Sequence, residues 1–123
     1  MIKRLILGVF GAAMLLGSVS AAAEESSDPL VLAPDKYTKL FENERVRVAE
    51  VRIKSGESIP MHSHPDHFVY VISGGTVNLS HPDGTSADVA LAPGQVLWIP
   101  AESHATVNTG STEVRLVVSE LKP

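Results

Sequence analysis

The chain contains no cysteine among its 123 residues. That excludes a disulfide scaffold and an acylated lipoprotein signal, which needs a thiol, so stability has to come from a hydrophobic core or a bound ion. Aromatic residues are scarce: one Trp, two Tyr and three Phe. Basic residues are also few, ten Lys and Arg against fourteen Asp and Glu. Nucleic acid and anionic lipid are poor partners for such a chain, because both need a basic patch. No apolar run reaches the roughly 20 residues of a spanning helix. Beyond the N-terminal leader no window of helical length keeps a 3.6-residue apolar period.

The longest apolar stretch stands at the start, in MIKRLILGVFGAAMLLGSVSAAAEE. Lys3 and Arg4 precede an apolar run from Leu5 to Leu16, and Ala21 and Ala23 satisfy the A-x-A rule for cleavage before Glu24. Residues 1–23 read as a signal peptide and 24–123 as one exported domain, periplasmic or secreted, free of the membrane once the signal is removed. Without Lys3 and Arg4 the mature chain has eight basic and fourteen acidic residues, a net charge of −6. At about 100 residues it is a single domain by size.

Residues 24–29, EESSDP, read as a frayed leader. Short strands punctuated by turns follow. RVRVAEVRI (45–53) is rich in β-branched residues and its alternation changes phase, which predicts a bulge or burial on both sides. FVYVI (68–72) and TVNLS (76–80) are joined through Ser73-Gly74-Gly75. HPDG (81–84) is a turn, with Pro at the second position and Gly at the fourth. TSADVAL, QVLWI, HATVN and EVRLVVSEL supply four more strands. Many short strands at regular spacing predict an all-β sandwich, jelly roll or barrel.

Three of the five histidines fall within six positions of PMHSHPDHFVY: His62, His64 and His67. His62 and His64 leave the same face of an extended segment. His67 starts the stripe His67, Val69, Val71, so it points where the stripe points. His104, at the head of a strand after Pro100, is the fourth candidate. His81 lies in the HPDG turn and is expected to face solvent. Neutral imidazoles suit zinc, copper, iron, nickel or manganese rather than calcium or magnesium. Spacing alone leaves two readings open, a solvated polar loop and a ligand set. Asp66 is an alternative to His67. Phe68, Tyr70 and Trp98 are read as core and sheet packing ahead of a pocket lining, Tyr70 on the outer face. Glu102 and Asp66 are placed on solvated loops ahead of orienting a ligand histidine, and Gln95 is within conceivable reach of the site.

These residues resemble a small single-domain cupin of the cupin 2 conserved-barrel type. That family carries G-x5-H-x-H-x(3,4)-E-x6-G and then G-x5-P-x-G-x2-H-x3-N. Here Gly56 precedes His62-Ser63-His64 by five residues. His67 stands where glutamate is usual, seven positions before Gly74. Gly94 precedes Pro100 by five residues, and His104 precedes Asn108 by three. The gap from His64 to His67 is two residues, Glu102 replaces a glycine, and Pro100 to His104 is one residue short. The His67 substitution resembles the family's four-histidine variants.

The resemblance implies a double-stranded β-helix, the jelly-roll barrel of cupins. It also implies one divalent transition metal ion (Fe, Mn, Cu, Ni or Zn) on His62, His64, His67 and His104. Four neutral ligands leave the ion its full +2 charge, which raises its Lewis acidity. The expected partner is a small-molecule ligand or substrate, and the expected assembly a homodimer. Family members include dioxygenases, decarboxylases, isomerases and lyases beside proteins without turnover, and the fold does not choose among them. A metal-dependent oxygenase acting on a small oxygenated organic molecule is the leading reading. A non-catalytic module that holds a metal or small ligand is the alternative.

Overall fold

The computed structural model describes residues 26–123. The expected signal peptide, its cleavage point, Glu24 and Glu25 lie outside them. The described chain runs α1 (Pro29–Leu32), β1 (Tyr37–Glu42), β2 (Val46–Ile53), β3 (Ser58–His64), β4 (His67–Ser73), β5 (Gly75–Ser80), β6 (Ser86–Leu91), β7 (Val96–Ile99), β8 (Glu102–Asn108) and β9 (Val114–Leu121). A five-stranded sheet has the order β1-β2-β9-β4-β7 and a four-stranded sheet the order β3-β8-β5-β6. All pairings are antiparallel. The all-β double-stranded β-helix expected from the sequence is what forms.

Alternation decides which side chains enter the space between the sheets. In β4, His67, Val69 and Val71 are buried while Phe68, Tyr70 and Ile72 face out. Inward aliphatic residues from both sheets make the core, with Ala49, Val51, Ile53, Ile59, Val69 and Val118 in one cluster and Val71, Val77, Leu91 and Val114 in a second.

Turns close where their residues permit. Gly56, at φ 81°, turns the chain between β2 and β3, a left-handed conformation that only glycine adopts without strain. A side chain at Gly74 would collide with the Leu91 carbonyl, so the β4–β5 corner needs glycine. In the HPDG turn the Gly84 N–H donates to the His81 carbonyl at 2.9 Å. Asn108 is buried and holds a corner: its amide donates to the Ile53 and Thr112 carbonyls, and its Oδ1 accepts from the Gly110 N–H.

Three expectations need correction. Residues 26–29 are not frayed: Asp28 caps α1 by accepting the Leu30 N–H at 3.0 Å, Pro29 is buried, and the Ser63 N–H donates to the Ser27 carbonyl at 2.8 Å. The phase change in β2 is not a bulge against its core neighbour, because β2 pairs with β9 without a register shift. The irregularity lies in β1, between Lys39 and Phe41, where β2 has its other partner. The aromatic residues Phe68, Tyr70 and Trp98 are neither core nor pocket. Phe68, Tyr70 and Trp98 are all exposed on the outer face of the five-stranded sheet, where Phe68 pairs with Trp98 across β4 and β7. Tyr70 alone lies where the sequence placed it.

Among the described residues no helix is long and apolar enough to cross a membrane.

Candidate metal centre

Strand register assembles the histidines. His62 and His64 point inward from β3, and His104 sits opposite His62 in the β3–β8 pairing. His67 comes from the other sheet, at the start of β4, opposite Glu120 of β9. The four imidazoles therefore meet between the sheets, with His62 and His67 each only 1% exposed. Ring centroids lie 4.8 Å apart for His62–His64, 4.7 Å for His62–His104 and 5.2 Å for His64–His104. His67 stacks on His64 at 4.3 Å and 28°.

Every one of the four rings has its Nδ1 beside an oxygen that can only accept. His62 Nδ1 lies 2.8 Å from the Pro60 carbonyl, and His67 Nδ1 2.8 Å from the Pro65 carbonyl. His64 Nδ1 lies 2.6 Å from Glu120 Oε2, and His104 Nδ1 2.6 Å from Glu102 Oε2. Against carbonyls and ionised carboxylates Nδ1 must carry the proton, so the neutral ring keeps its lone pair on Nε2. This is how proteins orient metal-binding histidines.

Burial keeps three of the rings neutral. It pushes His62 down to about 4 and also lowers His67 and His104, against the smaller opposing pull of their oxygen partners. Burial alone would raise the carboxyls of Glu120 and Glu102. For Glu120 the His64 hydrogen bond and the Arg47 charge outweigh it; for Glu102 the contacts with His104 and His81 do. Both acids stay ionised and hold their partners in one tautomer.

The donor set fits a transition metal. His62, His64 and His104 bring three donor nitrogens within 4.8 Å of one another. Nitrogens 2.0–2.1 Å from a shared ion stand roughly 3–4 Å apart, so small closing movements suffice. His67 is outside that trio and reaches the cluster by its stacking on His64. A second trio, His81, Glu102 and His104, also has donor atoms within 4.8 Å.

Behind His64 a chain of charge runs outward. Glu120 Oε1 accepts from Arg47 Nε at 3.0 Å, and the two terminal nitrogens of Arg47 reach Asp28 Oδ1 and Oδ2 at 2.9 Å each. Glu120 is the residue that sequence reasoning missed. The signal was present: Val114, Leu116, Val118 and Glu120 share one parity, and the last is an acid ending an inward stripe.

The other expectations divide. Glu102 is not a solvated loop residue, since it opens β8 and binds His104. His81 is half-buried rather than free in solvent, with Nε2 3.4 Å from Glu102 Oε2. Asp66 is exposed and accepts the Ala101 N–H at 2.8 Å, away from the cluster. Gln95 is exposed and its side chain accepts the Ala92 N–H, so it closes a turn and does not reach the site.

The imidazoles line a cavity of about 80 Å³ whose other walls are mostly aliphatic. That is several times the ~10–15 Å³ needed for one water. It can hold a small organic ligand beside the cluster.

The Cupin_2 family profile, described as a cupin domain, matches residues 49–120. A cupin domain from Bordetella pertussis Tohama I is similar in structure, with TM-score 0.66 and 31% identity over 71% of this chain and 92% of that one. A cupin superfamily protein from Desulfitobacterium hafniense has TM-score 0.55 and 22% identity over 71% and 76%. A protein from Thermotoga maritima described as a predicted oxalate decarboxylase has TM-score 0.54 and 21% identity over 71% and 79%. The last two share the fold. Among curated proteins no sequence matches the chain.

Proposed function

The chain belongs to the cupin family, and on that premise we propose that His62, His64, His67 and His104 hold one divalent transition metal ion beside a small oxygenated organic ligand. The observation that carries this reading is the common orientation of the four rings, each with Nδ1 on an oxygen and Nε2 left to donate. When bound, such an ion supplies Lewis acidity and, for iron, manganese or copper, redox capacity. The chain's own residues do the rest. Glu120 and Glu102 keep the protons of His64 and His104 on Nδ1, and the aliphatic wall excludes water.

Oxygenation of the ligand is the proposed reaction, because dioxygen chemistry needs no protein base. The leader points to an exported protein, periplasmic or secreted, beyond the reach of cytosolic reductants and nucleotides, so the electrons come from the substrate itself. A second reading, capture of a small ligand without turnover, is favoured by one observation: both carboxylates beside the cluster are committed to histidines, and no acid lines the cavity among the described residues. The outward row Phe68, Tyr70, Val96 and Trp98 is proposed as the contact face of a homodimer.

Elemental analysis of untagged protein, followed by oxygen-uptake screening with diketones, phenols and organic acids, tests the reading. About one transition ion per chain is expected. Turnover selects the oxygenase; stable binding without product selects the module. Metal-free protein with no melting shift on adding zinc, copper, nickel or iron overturns both.

A further inference from the structure

Apart from the imidazoles, Tyr37 and Thr106 are the only residues with polar side chains lining the cavity among the described residues, and no Lys, Arg, Asp or Glu lines it. Tyr37 opens β1 and is the strand's sole buried residue, the other five being exposed. It is 8% exposed, and its ring meets His62 edge-on, with centroids 6.5 Å apart and planes at 72°. Its hydroxyl has no hydrogen-bond partner among the described residues. Leaving a buried O–H unpaired is unfavourable, and phenylalanine would anchor the strand equally well without that penalty.

We propose that Tyr37 Oη donates a hydrogen bond to an oxygen of the ligand that faces the imidazole cluster, which makes Tyr37 a ligand-binding residue of this site. The proposal rests on the metal-binding reading above and narrows the ligand. A cavity of about 80 Å³, room for several waters, suits a small ligand. The aliphatic wall favours an apolar remainder, and the absence of a lining cation disfavours a second negative charge. The ligand class is therefore a small molecule with an oxygen that accepts from Tyr37, an apolar remainder and at most one negative charge.

Acetohydroxamate has that chemistry and serves as the probe. Its binding to the metal-loaded chain is measured by isothermal titration for the wild type, Tyr37→Phe and Ser86→Ala, with metal content and melting temperature recorded for each. Tyr37→Phe keeps the ring, so metal content is expected to stay at the wild-type value while Kd rises about 3- to 10-fold, the worth of one hydrogen bond. Ser86→Ala, exposed at the start of β6, should leave Kd unchanged. Equal Kd for Tyr37→Phe and wild type overturns the role of Tyr37 and leaves the metal reading standing. No probe binding to metal-loaded wild type overturns the ligand class. A wild type that takes up no metal overturns the metal reading and this proposal together.

Discussion

Glu120 Oε2 sits 2.6 Å from His64 Nδ1, joining β9 to β3 between residues 56 apart in sequence. The same carboxylate takes Arg47 on its other oxygen, so its position is fixed from two sides. A charged acceptor at Nδ1 raises the basicity of the nitrogen across the ring. Glu120→Gln keeps the shape and removes the charge. Its metal affinity should fall about 10- to 100-fold, read by competition with a chromogenic chelator, while the far-ultraviolet spectrum stays that of a folded β protein.

The cluster's members are not equivalent. His62, His64 and His104 form the close donor trio, and His67 stands beside it on the opposite sheet. His62→Ala or His104→Ala should empty the site, with metal content dropping from about one ion per chain to background. His67→Ala should retain metal at reduced affinity. If that variant binds like the wild type, His67 is not a ligand and the site is a three-histidine one.

Burial of the rings has a pH consequence for the metal-free protein. His62, His67 and His104 take up protons less readily in the folded chain than in the unfolded one. The unfolded state thus binds more protons as pH falls below 6.5, and stability is lost from there down through the folded value, about 4 for His62. Each such group contributes on the order of 1 kcal/mol per pH unit within its window. The lowered carboxyls of Glu120 and Glu102 extend the loss at lower pH, since their stabilisation disappears once they are protonated. In chelator the melting temperature should be at least about 5 °C lower at pH 5 than at pH 7.5. An unchanged melting temperature would mean the rings are not desolvated as the fold requires.

Asn108 tests the fold apart from the site. Its side chain satisfies two carbonyls and one N–H at the corner where β8 ends. Asn108→Ala strands those groups in the interior and should cost about 3 kcal/mol in urea unfolding, at unchanged metal stoichiometry. A loss under 1 kcal/mol would show that water reaches the corner.

The seven strands from β2 onward, apart from β3, were legible because each carries a period-2 pattern or a run of β-branched residues between Gly and Pro turns. β3 was read only as an extended segment, since its Pro60 and paired histidines mask the pattern. β1 left no trace, since only Tyr37 of its six residues is buried and alternation has nothing to alternate. α1 is a single turn, too short for a helical period, and it is held by a cap and a distant arginine. Parity found the inward histidines correctly, and it pointed equally to Glu120. A carboxylate at the end of an apolar stripe looks like a surface residue until register places it opposite His67. His81 and Glu102 were misplaced for a related reason: their approach depends on the pairing of β5 with β8, which neither local segment encodes.

The line Asp28–Arg47–Glu120–His64 has a thermodynamic consequence. Asp28 caps the first turn of the described chain, and His64 belongs to the candidate ligand set. Free-energy coupling between two sites is reciprocal. Whatever an ion gains because residues 27–33 are docked, those residues gain in resistance to local opening when the ion is present. The N-terminal turn is in that sense a gauge: amide exchange at Leu30 and Ser63 should slow on metal loading, although neither residue touches the ion.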